Sequence, residues 1–169
     1  GEGLVDGVEV VNGDEIYPGI VDRCVQGGMY ITANTDIHAT TAADYRVNGT
    51  DRPMTLIFAK DQSLESVREA LEAQRTLALA YNNLWGADQL LKDLFMACVK
   101  VENVSGRKYK LTNLSSIPFV LQQDGSNRVH LDPMTSIFLT ISKGDSALVF
   151  NVVNMWNGVD SNPKVGIAF

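Results

Sequence analysis

The sequence predicts an α+β fold in which an α/β part is followed by an all-β part. Short apolar strands alternate with helical patterns up to about residue 98. After Val99 the helical period vanishes, and one short strand follows another to the end of the chain. We therefore expect two domains, residues 1–98 and residues 99–169, the second being an antiparallel sandwich or small barrel.

The α/β part opens with a strand, a helix and a second strand. The first strand covers Val5 to Asn12, the helix has Pro18 near its start, and Gly27 and Gly28 stand where a helix would stop. The second strand has the sequence MYITANTD. A strand-helix-strand spacing of roughly 25 residues is typical of a parallel crossover unit.

Two more strands and two more helices complete the α/β part. The strands have the sequences TLIFAK and TLALAY, and Ser63 can cap the helix between them. The last helix runs from about Ala87 to Cys98. In the helix capped by Ser63, a single apolar face is expected from Leu64, Val67, Ala70 and Leu71.

The all-β part is a series of short apolar runs separated by turn signals. Asp124-Gly125 and Lys143-Gly144 are two of these signals. The runs have the sequences KVENV, RKYKLTNL, IPFVLQQ, NRVHLD, TSIFLTIS, ALVFNVVNMW and VGIAF. This density of short strands indicates antiparallel sheets.

Composition and charge exclude two classes of partner. The net charge of -6 and the pI near 4.8 argue against a nucleic-acid partner, which would need a basic stripe to bind phosphates. No apolar run reaches the ~18 residues of a membrane helix, so no membrane partner is expected. Two cysteines, Cys24 and Cys98, are interpreted as buried thiols and leave the localisation open.

A candidate metal-binding pair lies where the second strand ends. Asp36 and His38 are two positions apart, and in an extended segment such side chains point to the same side. A carboxylate and an imidazole can then converge on Zn, Mn or Fe. The alternative is an ordinary polar turn, in which the aspartate only caps the strand end. Two ligands do not complete a catalytic site, which needs three or more.

Three other polar residues are candidates for contact with an ion or a substrate. Glu9 could face a barrel interior and its ions, or face solvent at a strand edge. Asn12 could bond a ligand loop or make a local turn. Arg52, which precedes Pro53, could hold an anionic substrate, although such arginines more often pair with neighbouring acids.

The order of these motifs resembles the late part of the polymerase and histidinol phosphatase (PHP) family of metal-dependent phosphoesterases. The resemblance rests on DGVEVVNG, a helix, ANTDIHA, RPMTLIFAK and a capped helix, and it runs from about Val5 to Tyr81. In that family a strand ending in Asn precedes a strand ending in Ser-Asp-x-His. Asp36 and His38 match the last ligands of the family's metal cluster, while Thr35 stands where many members carry Ser.

The resemblance implies the C-terminal part of a bacterial phosphoesterase. Its fold would be the last strands of a PHP-like barrel, a partial parallel β/α barrel, followed by an appended antiparallel β-sandwich domain. The intact parent would hydrolyse a phosphate-ester small molecule with water activated by a divalent Zn, Mn or Fe ion, and whether this chain alone binds a metal stays open. Because His38 and His130 are the only histidines, the family's earlier ligands have no counterpart and this chain alone should be inactive.

An incomplete barrel has a consequence for association. The strand DGVEVVNG would be an exposed sheet edge, which predicts a homo-oligomer formed through that edge. The alternative function is a non-catalytic binding or oligomerisation module built on the C-terminal β domain. Only Trp156 is expected to be exposed among the aromatic residues that could support it, which are Tyr109, Phe119, Phe138, Phe150 and Trp156.

Overall fold

The computed structural model describes residues 5–45 and 52–168, and these residues are rich in strands with few helices. By its contacts the chain divides into two compact units. Unit 1 comprises residues 1–91 and 156–161, and unit 2 comprises residues 92–155 and 162–169. The expected α+β composition is therefore present, with a β-rich second part.

The elements of unit 1 follow the expected order closely. Their bounds are β1 (Gly7–Asn12), β2 (Glu15–Ile16), α1 (Gly19–Gly27), β3 (Tyr30–Asn34), α2 (Thr41–Asp44), β4 (Met54–Ile57), α3 (Leu64–Glu72), β5 (Thr76–Ala80) and β6 (Asn83–Trp85). The short strands β2 and β6 and the single-turn helix α2 were not expected, because each is too short to give a periodic pattern.

The predicted parallel crossover is confirmed. Strands β1 and β3 pair in parallel, and α1 connects them. Pro18 precedes the first turn of α1, and Gly28 ends the helix in a left-handed conformation with φ of 67°. Its N–H donates to the Cys24 carbonyl, the usual way for a glycine to close a helix.

A β-bulge changes which side of β1 is buried. The register of β1 against β3 shifts between Glu9 and Val11, so Val10 is an extra residue. Both Val10 and Val11 are fully buried as a result. The core of unit 1 consists of Val10, Val11, Val21, Cys24, Ile31, Ala33, Ala78, Ala80 and Trp85.

The expectation of a parallel sheet is wrong for the later strands of unit 1. Strand β5 pairs antiparallel with both β4 and β6. Strand β3 meets these strands through side chains: the N–H of Ile31 donates to the Thr76 hydroxyl, and the N–H of Ala33 donates to the Thr55 hydroxyl, each at 2.9 Å. Apolar runs carry no information on strand direction, which explains the error.

One helix face also differs from the expectation. Ser63 caps α3 as predicted, its hydroxyl accepting from the N–H of Ser66 at 3.1 Å. Leu64 was placed on the buried face but is 85% exposed, whereas Ala70 is fully buried. Leu64 is the first residue of α3, and it follows residues 60–63, which are also exposed.

Unit 2 has two antiparallel sheets, as expected of a β-sandwich. Helix α4 (Asp88–Cys98) leads from unit 1 into it, and its strands are β7 (Val99–Ser105), β8 (Lys108–Asn113), β9 (Phe119–Gln122), β10 (Val129–Leu131), β11 (Ser136–Thr140), β12 (Ala147–Val152) and β14 (Lys164–Ala168). The short strand β13 (Met155–Trp156) belongs instead to the sheet of β4, β5 and β6. One sheet has the order β10-β9-β12-β14 and the other β11-β8-β7. Phe169, expected at the end of the last strand, lies outside the described residues.

The core of unit 2 is aromatic and aliphatic. Phe95 and Phe119 meet edge to face, with ring centroids 5.0 Å apart. The turn signals are confirmed, since Gly125 and Gly144 have φ of 73° and 100°. No helix in the described parts of the chain has both the length and the apolar character needed to span a membrane.

Candidate functional site

The candidate metal pair follows the C-terminal end of β3. This strand ends at Asn34, and Asp36 then takes a left-handed backbone conformation with φ of 47°. The segment is therefore not extended, and the reason given for Asp36 and His38 pointing to the same side does not hold. Both side chains are exposed. Their role as ligands stays a prediction.

A cleft of about 590 Å³ opens beside Asp36. Residues 33–37 form one wall and residues 52–56 the other, so the structure brings Asp36 and Arg52 to the same cleft. His38 does not line it. Pro53, Met54 and Leu56 make part of the lining apolar, while Asn34 and Thr55 add polar groups. The cleft therefore combines an acidic side chain, a basic side chain and apolar groups.

Asn12 and Glu9 lie on the neighbouring strand β1. Asn12 stands in register with Asn34 of β3, and its Oδ1 is a buried side-chain oxygen without a hydrogen-bond partner among the described residues. An orphan oxygen of this kind requires an explanation, such as a water or an ion. Glu9 accepts a hydrogen bond from the Asn34 amide. It therefore faces a neighbouring side chain of its own sheet.

Two tyrosines that the sequence analysis did not single out reach the loops of this site. The Tyr81 hydroxyl donates to the Gly13 carbonyl at 2.6 Å, and the Tyr45 hydroxyl donates to the Thr35 carbonyl at 2.9 Å. Burial is the main cause of a raised pKa of Tyr81, followed by the nearby Tyr45 and Asp14. The Tyr81 hydroxyl therefore stays a protonated donor near neutral pH.

The described residues do not form a complete metal site. Among residues 5–45 and 52–168, no three His, Cys, Asp or Glu side chains are grouped so as to hold an ion. Asp36 and His38 supply two donors, and the orphan Asn12 oxygen is at most a weak third. A catalytic metal needs at least three protein ligands, so no catalytic step is assigned to a metal here.

Of the five aromatic residues of the alternative binding surface, only Phe119 and Phe150 are buried, whereas most were expected in the core. Trp156 is half-buried and its indole N–H donates to Asn83 at 3.1 Å, so the expectation that it is exposed is wrong. Phe138 is the exposed one, at 56%, with the Lys108 ammonium 4.7 Å from its ring centroid. Phe119 and Phe150 are buried.

No protein-family model matches the chain, and no curated protein matches it either. A solved structure does match: that of a two-domain protein from Bacteroides vulgatus containing a predicted PHP-like metal-dependent phosphoesterase. The two are 29% identical with a TM-score of 0.88. The similarity covers 97% of this chain and 52% of that one, so this chain spans about half the length of the Bacteroides protein. The chain is thus related in sequence and fold to a PHP-like protein.

Proposed function

We propose that this chain is the C-terminal part of a metal-dependent phosphoesterase, made of the last strands of a PHP-like barrel and an appended β domain. The observation that carries the proposal is the match over 97% of the chain to the Bacteroides protein, at 29% identity. The parallel β1-α1-β3 unit with Asp36 just beyond its end supports it, because parallel α/β folds collect catalytic groups at that end of the strands.

Each candidate residue is given a proposed role, which for Asp36 and His38 rests on their match to the family's motif. Asp36 and His38 are two of the metal ligands, and Asn12 supports the site from the end of β1 with its orphan oxygen. Arg52 holds the phosphate of the substrate, which occupies the cleft between residues 33–37 and 52–56. Glu9 acts on the site indirectly, by accepting a hydrogen bond from the Asn34 side-chain amide.

The proposal includes inactivity of this chain by itself. Two strong donors give weak metal binding, and a metal held by two protein ligands lacks the fixed geometry that catalysis requires. The remaining ligands of a complete site would have to come from outside the described residues 5–45 and 52–168.

Hydrolysis assays test the proposal together with metal binding. The chain is incubated with Mn²⁺, Zn²⁺ or Fe²⁺ and p-nitrophenyl phosphate or its diester, and Mn²⁺ binding is measured by equilibrium dialysis. We expect no turnover above that of the metal alone, and weaker Mn²⁺ binding in Asp36→Asn and His38→Gln. The control is His130→Gln, an exposed histidine of unit 2. Unchanged binding in both site variants would contradict the ligand assignment, and robust turnover by the chain would contradict its inactivity.

A further inference from the structure

Two tyrosine hydroxyls of unit 1 bond to the loops at the end of the β1–β3 sheet. The loop after β1 contains Gly13, the loop after β3 contains Thr35, and the turn between β5 and β6 contains Tyr81. Tyr81 donates to the Gly13 carbonyl and Tyr45 donates to the Thr35 carbonyl. These bonds link segments that are 68 and 10 residues apart, respectively.

The backbone at Tyr81 is unfavourable for a tyrosine. Tyr81 and Asn82 form the two-residue turn of the β5–β6 hairpin, with φ of 51° and 62°. Turns of this kind favour Asn, Asp and Gly, and a bulky side chain at positive φ is strained. The Tyr81 ring packs against the core of unit 1, and its hydroxyl bond to Gly13 is a contact that a phenylalanine at this position would lack. Strain retained beside a candidate site indicates a use for the side chain.

Gly13 connects Tyr81 to the candidate metal ligand. The N–H of Gly13 donates to the Asn34 carbonyl at 3.0 Å. A Cβ placed on Gly13 would lie 3.5 Å from the Thr35 carbonyl oxygen and 3.7 Å from the Cβ of Asp36. The loop that Tyr81 holds therefore runs beside Asp36, and the residue that Tyr45 holds immediately precedes Asp36.

We propose that Tyr45 and Tyr81 are positioning residues, a hydroxyl clamp that holds the Gly13 loop and the Thr35–Asp36 segment in a fixed geometry. The clamp rests on the proposed function for its purpose, since it would present Asp36 to a metal ion. It acts through backbone carbonyls, so it needs no contact with substrate or metal. Its removal should loosen these two segments and leave the rest of unit 1 unchanged.

Amide hydrogen exchange tests the clamp in the full chain. Tyr81→Phe and Tyr45→Phe remove one oxygen each, and Tyr30→Phe is the matched control, since Tyr30 is half-buried at the opposite end of β3. We expect exchange of the Gly13 amide to accelerate about fivefold in Tyr81→Phe, the factor that corresponds to one lost hydrogen bond. The amides of β5 should keep the wild-type rate, which a general loss of stability would not allow.

A Mn²⁺ titration of the same variants separates the clamp from the proposed function. Weaker Mn²⁺ binding is expected in both clamp variants and in Asp36→Asn, with no change in Tyr30→Phe. An unchanged Gly13 exchange rate in Tyr81→Phe would overturn the clamp, even if Asp36→Asn abolished Mn²⁺ binding. Faster Gly13 exchange in Tyr81→Phe, together with Mn²⁺ binding that is unchanged in Asp36→Asn, would support the clamp and overturn the proposed function.

Discussion

Asp36 combines a candidate functional side chain with an unusual backbone. Its φ of 47° lies in the left-handed region, which Asn, Asp and Gly tolerate better than other residues. Removing the carboxylate by Asp36→Ala therefore changes two things at once. It removes a possible ligand, and it places an alanine in a conformation that costs about 1 kcal/mol or more.

We predict that Asp36→Ala destabilises the protein by about 1 kcal/mol relative to Asp36→Asn. Asparagine removes the charge while tolerating the left-handed backbone, so the Asp36→Asn variant should unfold at a urea concentration close to that of the wild type. Urea unfolding followed by circular dichroism measures both variants. Equal stability of the two would mean that the backbone at residue 36 is not held at positive φ.

Tyr81 gives a pH-dependent prediction. Burial, together with Tyr45 and Asp14, raises its pKa in the folded state, so folding favours the protonated phenol. The resulting stabilisation is present below the unfolded pKa of about 10 and is lost as pH rises through the higher folded pKa. The free energy of unfolding should therefore fall less steeply with pH in Tyr81→Phe than in the wild type. The difference should show between pH 9 and pH 11, about one unit on each side of the unfolded pKa. A wild-type slope in the variant would contradict this.

The residue-level features that sequence could predict are those with a local cause. Asp36 and Arg52 were predicted as candidates from a strand end and from a motif, and the structure places both in one cleft. The Tyr81–Gly13 bond was not predicted, because its partners are 68 residues apart and no local pattern marks a tyrosine at positive φ. The left-handed backbone at Asp36 was not predicted as such, although a polar turn at this strand end was the alternative left open.

At the level of elements, β1 begins with a glycine and β3 begins with a tyrosine whose ring packs over that glycine. Gly7 and Tyr30 are cross-strand partners, and a Cβ on Gly7 would lie only 2.0 Å from a ring carbon of Tyr30. Gly166 on β14 has open space around the same position. The two glycines therefore differ in packing while both lie in strands.

We predict that Gly7→Ala destabilises the protein by about 1–2 kcal/mol, because the Tyr30 ring must leave its place. Gly166→Ala should be neutral or stabilising by up to about 1 kcal/mol, since alanine lowers the conformational entropy of the unfolded chain. Denaturant unfolding gives both values. In a Tyr30→Ala background the cost of Gly7→Ala should disappear, and an unchanged cost there would exclude the ring as its cause.

The elements themselves were largely predictable, whereas within unit 1 the strand directions were predicted correctly only for β1 and β3. The β1-α1-β3 unit and the cap of α3 followed from periodicity, glycine and serine positions. The antiparallel β4-β5-β6 pairing did not, because the same apolar run serves either direction. The bulge at Val10 was also invisible, since an added residue in a strand leaves the run apolar.

At the level of the whole molecule, the expected open edge of the first sheet needs a correction. Strand β1 is flanked by β3 and β2 and is not the edge. The pairing with β2 involves only Val11 and Asn12, so in the described residues no strand pairing covers the other side of Gly7, Val8 and Glu9. A two-residue edge strand protects little of the sheet from pairing with another chain.

We therefore keep the homo-oligomer as a proposal and predict concentration-dependent self-association through this part of β1. Light scattering over a range of protein concentrations measures it. Val5→Lys places a charge just before β1, where Val5 is 57% exposed, and should weaken association. Val159→Lys, at a residue 41% exposed in a loop of the same unit, is the control. A monomer at every concentration would contradict the proposal.

We propose that the end of β3 provides ligands to a divalent metal. Paramagnetic line broadening by Mn²⁺ tests this most directly, because it detects weak binding and identifies the nearest amides. We expect the amides of residues 34–38 to broaden first and Asp36→Asn to remove this selectivity. Broadening spread evenly over the acidic surface, with no preference for residues 34–38 in the wild-type chain, would contradict it.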